Sequence, residues 1–210
     1  MIKAVIFDLD GVIVSTDELH FLAWKYISDQ EHIEFSKTIN HRLRGVSRMA
    51  SLEIILEKAK RAYSNEEKEA LAEKKNNYYI ELLSSLTPKD ILPHVLEVLG
   101  KLKEKGIKIA IGSSSKNAKA ILRQIRLIDI FDEVADGNDI INSKPAPDVF
   151  LIAAKKLGLN PKDCAVVEDA VVGIEAAKAA QMTAIAVFDA KNSELADYRF
   201  DDIRDILTLV

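Results

Sequence analysis

The sequence predicts an α/β fold in which a parallel sheet is covered by helices and an all-helical segment follows the first strand. Three observations carry this expectation. Short β-rich apolar runs at residues 2–7, 107–111, 165–167 and 183–188 alternate with longer stretches of helical periodicity, the pattern of strands joined by crossover helices. Residues 14–85 hold helical periodicity and no convincing strand. Two of the apolar runs end in paired carboxylates, Asp8 with Asp10 and Glu168 with Asp169, as if two strands of one sheet delivered acids to one edge.

Taken in order, the first run passes straight into Asp8 before any small-residue cleavage site, so it reads as a buried strand rather than a leader. Ser15-Thr16-Asp17-Glu18 and Ser64-Asn65-Glu66-Glu67 both fit a capping box, and each is expected to open a helix. Beyond the second box, Leu71, Tyr78, Leu82 and Leu83 lie along one stripe. Glu66, Glu67, Lys68, Glu69, Glu73, Lys74 and Lys75 fall mostly on the other faces, which reads as a solvated surface. Pro88 and Pro93 bracket the return, and the connection after Val12 is short. The predicted division is therefore a core of residues 1–13 and 86–210 and a helical cap of residues 14–85. Val95, Leu96, Val98, Leu99 and Leu102 then recur at helical spacing, with Gly106 placed to stop that helix before the strand at 107. A helix is expected to open at Ser114-Ser115-Lys116, and two more at residues 148–157, closed by Gly158, and 172–180.

At 210 residues and 48% hydrophobic, the chain can bury a core of one large or two small domains. A net charge of −4 disfavours nucleic acid as a partner, and no apolar stretch approaches the roughly 20 residues that span a bilayer. The single cysteine, Cys164, excludes an internal disulfide or a multi-thiolate zinc site and suits a reducing compartment, so the cytoplasm is expected. Short loops without an exposed apolar stripe predict a monomer. Neither G-x-G-x-x-G nor G-x-x-x-x-G-K-[ST] occurs, which removes the dinucleotide and P-loop readings.

Asp8 and Asp10 stand at the carboxyl end of a strand, where α/β sheets bind ligands, and an i, i+2 spacing points both to one face. Gly11 lets the chain turn away without a side chain in the opening. A bare Asp-x-Asp is better explained by loop capping, so the motif alone is weak. With Glu168 and Asp169 ending a second strand, the hard oxygen donors suit Mg²⁺. Ser113 ends a third strand, where hydroxyls and backbone N–H groups can hold a phosphate, and Lys144 before Pro145 offers a point charge. Singly, Ser113 is as well read as a helix cap and Lys144 as a solvated loop lysine; together, in this order, they favour phosphate chemistry.

These four segments, Asp8-Leu9-Asp10-Gly11, Ser113, Lys144 and Glu168-Asp169, resemble the motifs of the haloacid dehalogenase (HAD) superfamily, and the resemblance covers essentially the whole chain. It implies a HAD-like Rossmannoid parallel-sheet core with a small all-helical cap domain inserted after the first strand. Within the superfamily the chain is similar to the sugar-phosphate mutases, through Thr16, His20, Trp24, Arg44-Gly45-Val46-Ser47-Arg48, Lys75-Asn76, Ser115-Lys116-Asn117 and the stretch from Ser143 to Asp148. The resemblance implies isomerisation of β-D-glucose 1-phosphate to glucose 6-phosphate through β-glucose 1,6-bisphosphate, with Asp8 as nucleophile and Asp10 as general acid and base. It also implies that Asp8, the Asp10 carbonyl and Asp169, with help from Glu168, hold Mg²⁺, that Ser113 binds the transferring phosphoryl, and that Lys144 helps to screen the repulsion between Asp8 and that group. Arg48, Ser115, Lys116 and Asn117 are implied for the second phosphate, and His20 and Lys75 for positioning Asp10. The remaining cap residues named above, Thr16, Trp24, Gly45, Val46 and Ser47, are implied to line the substrate site. Arg48 could instead be a surface cation at a helix end, and His32, His41 and His94 read as structural or surface residues. The alternative activity is a Mg²⁺-dependent phosphatase for small sugar phosphates. Arg44, Ala170 and Gln181 depart from the superfamily's usual lysine, serine and glycine.

Overall fold

In the computed structural model, which describes residues 2–43 and 46–210, one six-stranded sheet has the order β3-β2-β1-β4-β5-β6. Its strands are β1 (Ala4–Phe7), β2 (Lys108–Gly112), β3 (Glu133–Ala135), β4 (Cys164–Glu168), β5 (Thr183–Val187) and β6 (Tyr198–Phe200). Every pairing is parallel, and Phe7 of β1 stands level with Ile111 of β2 and Val167 of β4. From β1 the chain first builds β2 and β3 on one side, then crosses back to β4, β5 and β6 on the other. That reversal opens a crevice at the carboxyl ends of β1, β2 and β4, where ligands of such sheets bind.

Period-two alternation divides the sheet's side chains between two cores. Val5, Phe7, Ile109, Ile111, Val167 and Ile185 pack with α5 (Val95–Glu104), α6 (Ala118–Gln124) and the helical turn Ile203–Leu209. On the opposite face Ala4, Ile6, Ala110, Val166, Ala184 and Ala186 pack with α7 (Asp148–Leu157) and α8 (Val171–Ala179). The small alanines on that face let helices approach closely. Gly106 and Gly158 end α5 and α7 in the left-handed region, at φ 73° and 70°. No helix among the described residues is long and apolar enough to cross a membrane.

Between β1 and α5 lie α1 (Asp17–Gln30), α2 (Lys37–His41), α3 (Arg48–Leu56) and α4 (Asn65–Leu83). They share a core of their own, built on Trp24, Ile33, Phe35, Ile39, Leu43, Leu52, Ile55 and Ala72. This is the helical cap on a parallel α/β core that the sequence predicts.

Four details depart from expectation. The box at Ser64 forms in full, but Thr16 caps α1 without a side-chain hydrogen bond: its hydroxyl turns to Asp10, while Glu18 pairs with Lys37. The helix after Ser113 opens at Ala118 rather than at residues 114–116, because the Ser113 and Ser115 hydroxyls accept N–H groups within the preceding turn. The buried stripe of α4 is Ala72, Lys75, Tyr79 and Leu83, so Lys75 belongs to the inner face and not to the solvated one. β3 and β6, three residues each, lie at the sheet's edges and have no counterpart among the predicted strands.

Candidate active site

Asp8 follows β1, Glu168 ends β4 and Asp169 follows it; each offers a carboxylate oxygen, and these oxygens lie within 4.8 Å of one another. Lys144, from the loop before α7, is buried with them and pairs with Asp8 Oδ1 and Glu168 Oε1 at once. One ammonium cannot neutralise three acids, and charge withdrawn from water without a partner is costly. Burial pushes the Glu168 carboxyl up to about 7; burial with the charges of Glu168 and Asp8 pushes Asp169 up to about 8. For Lys144 burial works against the charge, but Asp8 and Glu168 outweigh it and hold the ammonium above its usual range. Glu168 Oε2 also accepts the Ala170 N–H at 3.1 Å, whereas Asp169 takes no hydrogen bond or ion pair among the described residues. A cluster of hard oxygens with surplus negative charge suits a divalent metal ion.

Two glycines make room for this cluster. Gly11, at φ 82°, sits where a Cβ would overlap Asp169 Oδ2, and a Cβ on Gly173 would overlap the Glu168 carboxylate. The approach of Asp169 therefore needs both the left-handed backbone and the missing side chain at Gly11.

Asp10, two residues past Asp8, faces the cap. Thr16 Oγ1 donates to Asp10 Oδ1, and the Tyr79 hydroxyl of α4 donates to Thr16 Oγ1 at 3.1 Å. His20 Nε2 stands 4.0 Å from Asp10 Oδ2, and Lys75 Nζ lies 2.8 Å from His20 Nδ1. A protonated Lys75 is only a donor, so Nδ1 accepts and Nε2 carries the proton that faces Asp10. Burial lowers His20 well below its usual range, helped by Lys75 and Arg48, and lowers Lys75 to about 7, helped by Arg48. Burial raises Asp10 to about 6, against the opposing pull of the Thr16 hydrogen bond. A carboxyl poised there can both give and take a proton near neutrality.

At the far end of the same cleft, Arg48 opens α3 and donates from Nη2 to Asn76 Oδ1 at 2.8 Å. Asn117 of the core donates from Nδ2 to that same oxygen at 2.9 Å. The turn carrying Asn117 is braced from below: Gly137 N–H donates to the Ser115 carbonyl at 3.1 Å, and Asn138 Nδ2 to the Lys116 carbonyl at 2.9 Å.

A cavity of about 840 Å³ joins both ends. It brings together Asp8, Asp10, His20, Trp24, Val46, Ser47, Arg48, Lys75, Ser113, Ser115, Lys116, Asn117, Lys144, Glu168 and Asp169. Thr16 is not among its walls; it lies fully buried behind Asp10 and reaches the cleft only through that carboxylate. Ser47 caps α3, accepting the Ala50 N–H at 3.2 Å. Gly45, and Arg44 beside it, lie outside the described residues. Sequence reasoning missed Tyr79, which anchors Thr16, Asn76 as a hydrogen-bonding centre, and Gly173. A tyrosine and an asparagine on a helix carry no signal of their own, while Gly173 within an expected helix is a visible oddity.

A family model for haloacid dehalogenase-like hydrolases matches residues 2–181. A curated relative, the beta-phosphoglucomutase of Bacillus subtilis, is 50% identical over 187 residues, covering 88% of this chain and 83% of its own. The phosphorylated carbohydrates phosphatase of Thermotoga maritima is 33% identical over 181 residues, covering 85% and 81%. Among solved structures, the beta-phosphoglucomutase of Clostridium difficile superposes with a TM-score of 0.92 at 40% identity, over 99% of this chain and 96% of the other. With its metal-suited acids at the carboxyl ends of a parallel sheet beneath a helical cap, the chain belongs to the haloacid dehalogenase-like hydrolase family.

Proposed function

We propose that the chain isomerises β-D-glucose 1-phosphate to glucose 6-phosphate through β-glucose 1,6-bisphosphate, with Asp8 as the phosphoryl carrier. The observation that carries this reading is one cavity with phosphate-suited groups at both ends: Asp8, Ser113 and Lys144 at one, Arg48, Ser115, Lys116 and Asn117 at the other. A bisphosphate intermediate needs both. The naming of relatives 50% and 40% identical as beta-phosphoglucomutases supports it.

In this reading the Asp8 carboxylate attacks phosphorus to form an aspartyl phosphate, and Ser113 with Lys144 hold the phosphoryl oxygens. Asp10 protonates the departing sugar oxygen and then removes the proton from the hydroxyl that reclaims the phosphoryl. Thr16 and His20 orient Asp10 for that exchange. Mg²⁺ would be held by Asp8, Asp169 and the Asp10 carbonyl, with Glu168 assisting. When bound, it screens the repulsion between an anionic nucleophile and an anionic phosphoryl group. Residues 14–85 act as the cap, closing on the core of residues 1–13 and 86–210 to exclude water. The protein works as a cytoplasmic monomer on a small sugar phosphate, without nucleic acid or membrane.

A coupled assay with β-glucose 1-phosphate, Mg²⁺ and catalytic β-glucose 1,6-bisphosphate tests this, with glucose 6-phosphate and free phosphate read in parallel. The expected result is rapid glucose 6-phosphate with little free phosphate. Free phosphate without isomerisation would mean a sugar phosphatase. Arg48→Ala should lower kcat/KM for isomerisation about 100-fold, mainly through KM, and leave hydrolysis of p-nitrophenyl phosphate within about threefold, because the guanidinium holds only the distal phosphate. Equal losses would remove the two-ended argument.

Metal binding should depend on pH with a defined sign. Carboxyls raised to about 7 and 8 keep protons in the metal-free fold that a cation must displace. The stability these groups contribute is complete at acid pH and fades as pH rises through those values, which is where a bound cation replaces the lost protons. Mg²⁺ should therefore raise the melting temperature more at about pH 8.5 than at about pH 5.5, measured against EDTA. The opposite trend would mean that these acids do not hold the ion.

A further inference from the structure

We propose that Asn76 is a positioning residue for the distal phosphate, holding Arg48 within the cap and bringing Asn117 of the core to the same point when the cap is closed. The inference rests on the reading that those two donors take that phosphate. Asn76 lies inside α4, where asparagine is a poorer helix former than the residues that usually fill a helix. Its side chain lies at the cleft, and Oδ1 accepts from Arg48 Nη2 at 2.8 Å and from Asn117 Nδ2 at 2.9 Å. The partners lie 28 and 41 residues away in sequence, so this oxygen joins α3, α4 and the turn after β2.

A carbonyl oxygen has two lone pairs, and both are used here. The cost of ordering a long arginine side chain is thereby met in the free protein and not at binding. Arg48 spends one of five N–H groups on Asn76 and keeps the rest for an anion. Neutrality matters equally: a carboxylate in this place would gather the same donors, but cancel the guanidinium charge and repel the phosphate. An amide is the acceptor that holds Arg48 without competing for it.

The test is steady-state kinetics with β-glucose 1-phosphate and catalytic β-glucose 1,6-bisphosphate on four variants, with melting temperature as a folding control. Asn76→Ala should raise KM about tenfold and change kcat by less than about threefold. Added to Arg48→Ala, it should raise KM by only about threefold or less, since most of what it positions is gone. Asn76→Asp keeps the acceptor, so it should melt no lower than wild type, yet its KM should exceed that of Asn76→Ala. An unchanged KM in Asn76→Ala, full additivity with Arg48→Ala, or a wild-type KM in Asn76→Asp would each overturn the inference. Arg48→Ala with a wild-type KM would overturn the phosphate assignment itself, a failure separate from that of Asn76.

Discussion

Asp8→Asn should abolish both isomerisation and phosphate release, by at least about 10⁴-fold, in a chain that folds as before. An amide oxygen is no nucleophile, and the neighbouring carboxylates have other roles: Glu168 is engaged by Lys144 and the Ala170 N–H, Asp10 faces Thr16 and the cap, and Asp169 is among the acids suited to the metal ion. The shape is conserved, and one of three acids within 4.8 Å loses its charge. The surplus of negative charge falls, so the metal-free variant should melt no lower than the parent. The coupled assay and thermal unfolding in EDTA check both halves. Turnover within about 100-fold of wild type would remove Asp8 as the nucleophile, because a substitution at a covalent centre does not leave that much. Lost activity with a much lower melting temperature would make Asp8 a structural acid instead.

What the sequence could reveal follows from where each signal is written. The four inner strands are legible because a strand buried on both faces must be a continuous apolar run. β3 and β6 read Glu-Val-Ala and Tyr-Arg-Phe, too short to carry a period, and pair because β2 and β5 offer them an edge. The acids were legible because Asp8 and Glu168 interrupt or end such runs, a placement that burial makes expensive without a purpose. Lys75 was not legible from its own neighbourhood: it sits in a run of charges, and only the packing of α4 on α1 sets it 2.8 Å from His20 and over the Trp24 ring at 4.9 Å. The box at Ser15 failed for a related reason, since Thr16 serves Asp10 in place of its own helix. In each case a long-range polar partner outweighed a local preference worth about 1 kcal/mol.

Lys144→Met should give the largest loss of stability. Lys144 is 5% exposed and its ammonium is the cation paired with both Asp8 and Glu168. Removing one side of a buried ion pair costs about 3–5 kcal/mol, because the remaining charge keeps its desolvation penalty and loses its partner. Here the remaining charges can escape by binding protons, since Glu168 and Asp169 are already held up at about 7 and 8 with the lysine present, and without it they rise further. The deficit is thus small at acid pH, where Glu168 and Asp169 are neutral in the fold, and grows as pH rises and the fold must either carry their bare charges or hold their protons. Thermal unfolding of variant and parent in EDTA between about pH 5.5 and pH 8.5 should show the gap widening, and Mg²⁺ should narrow it at the upper end by supplying the missing positive charge. Isomerisation should fall by at least about 100-fold even with Mg²⁺, since the ammonium proposed to steady the transferring phosphoryl is gone. A gap that stays constant with pH would mean that the loss comes from packing of the lysine stem against Phe150, whose ring centroid lies 4.7 Å from the ammonium, and not from the acids. The surplus of charge would then no longer be an argument for a cation at this site, and the case for the metal would rest on the arrangement of Asp8, Glu168 and Asp169 alone.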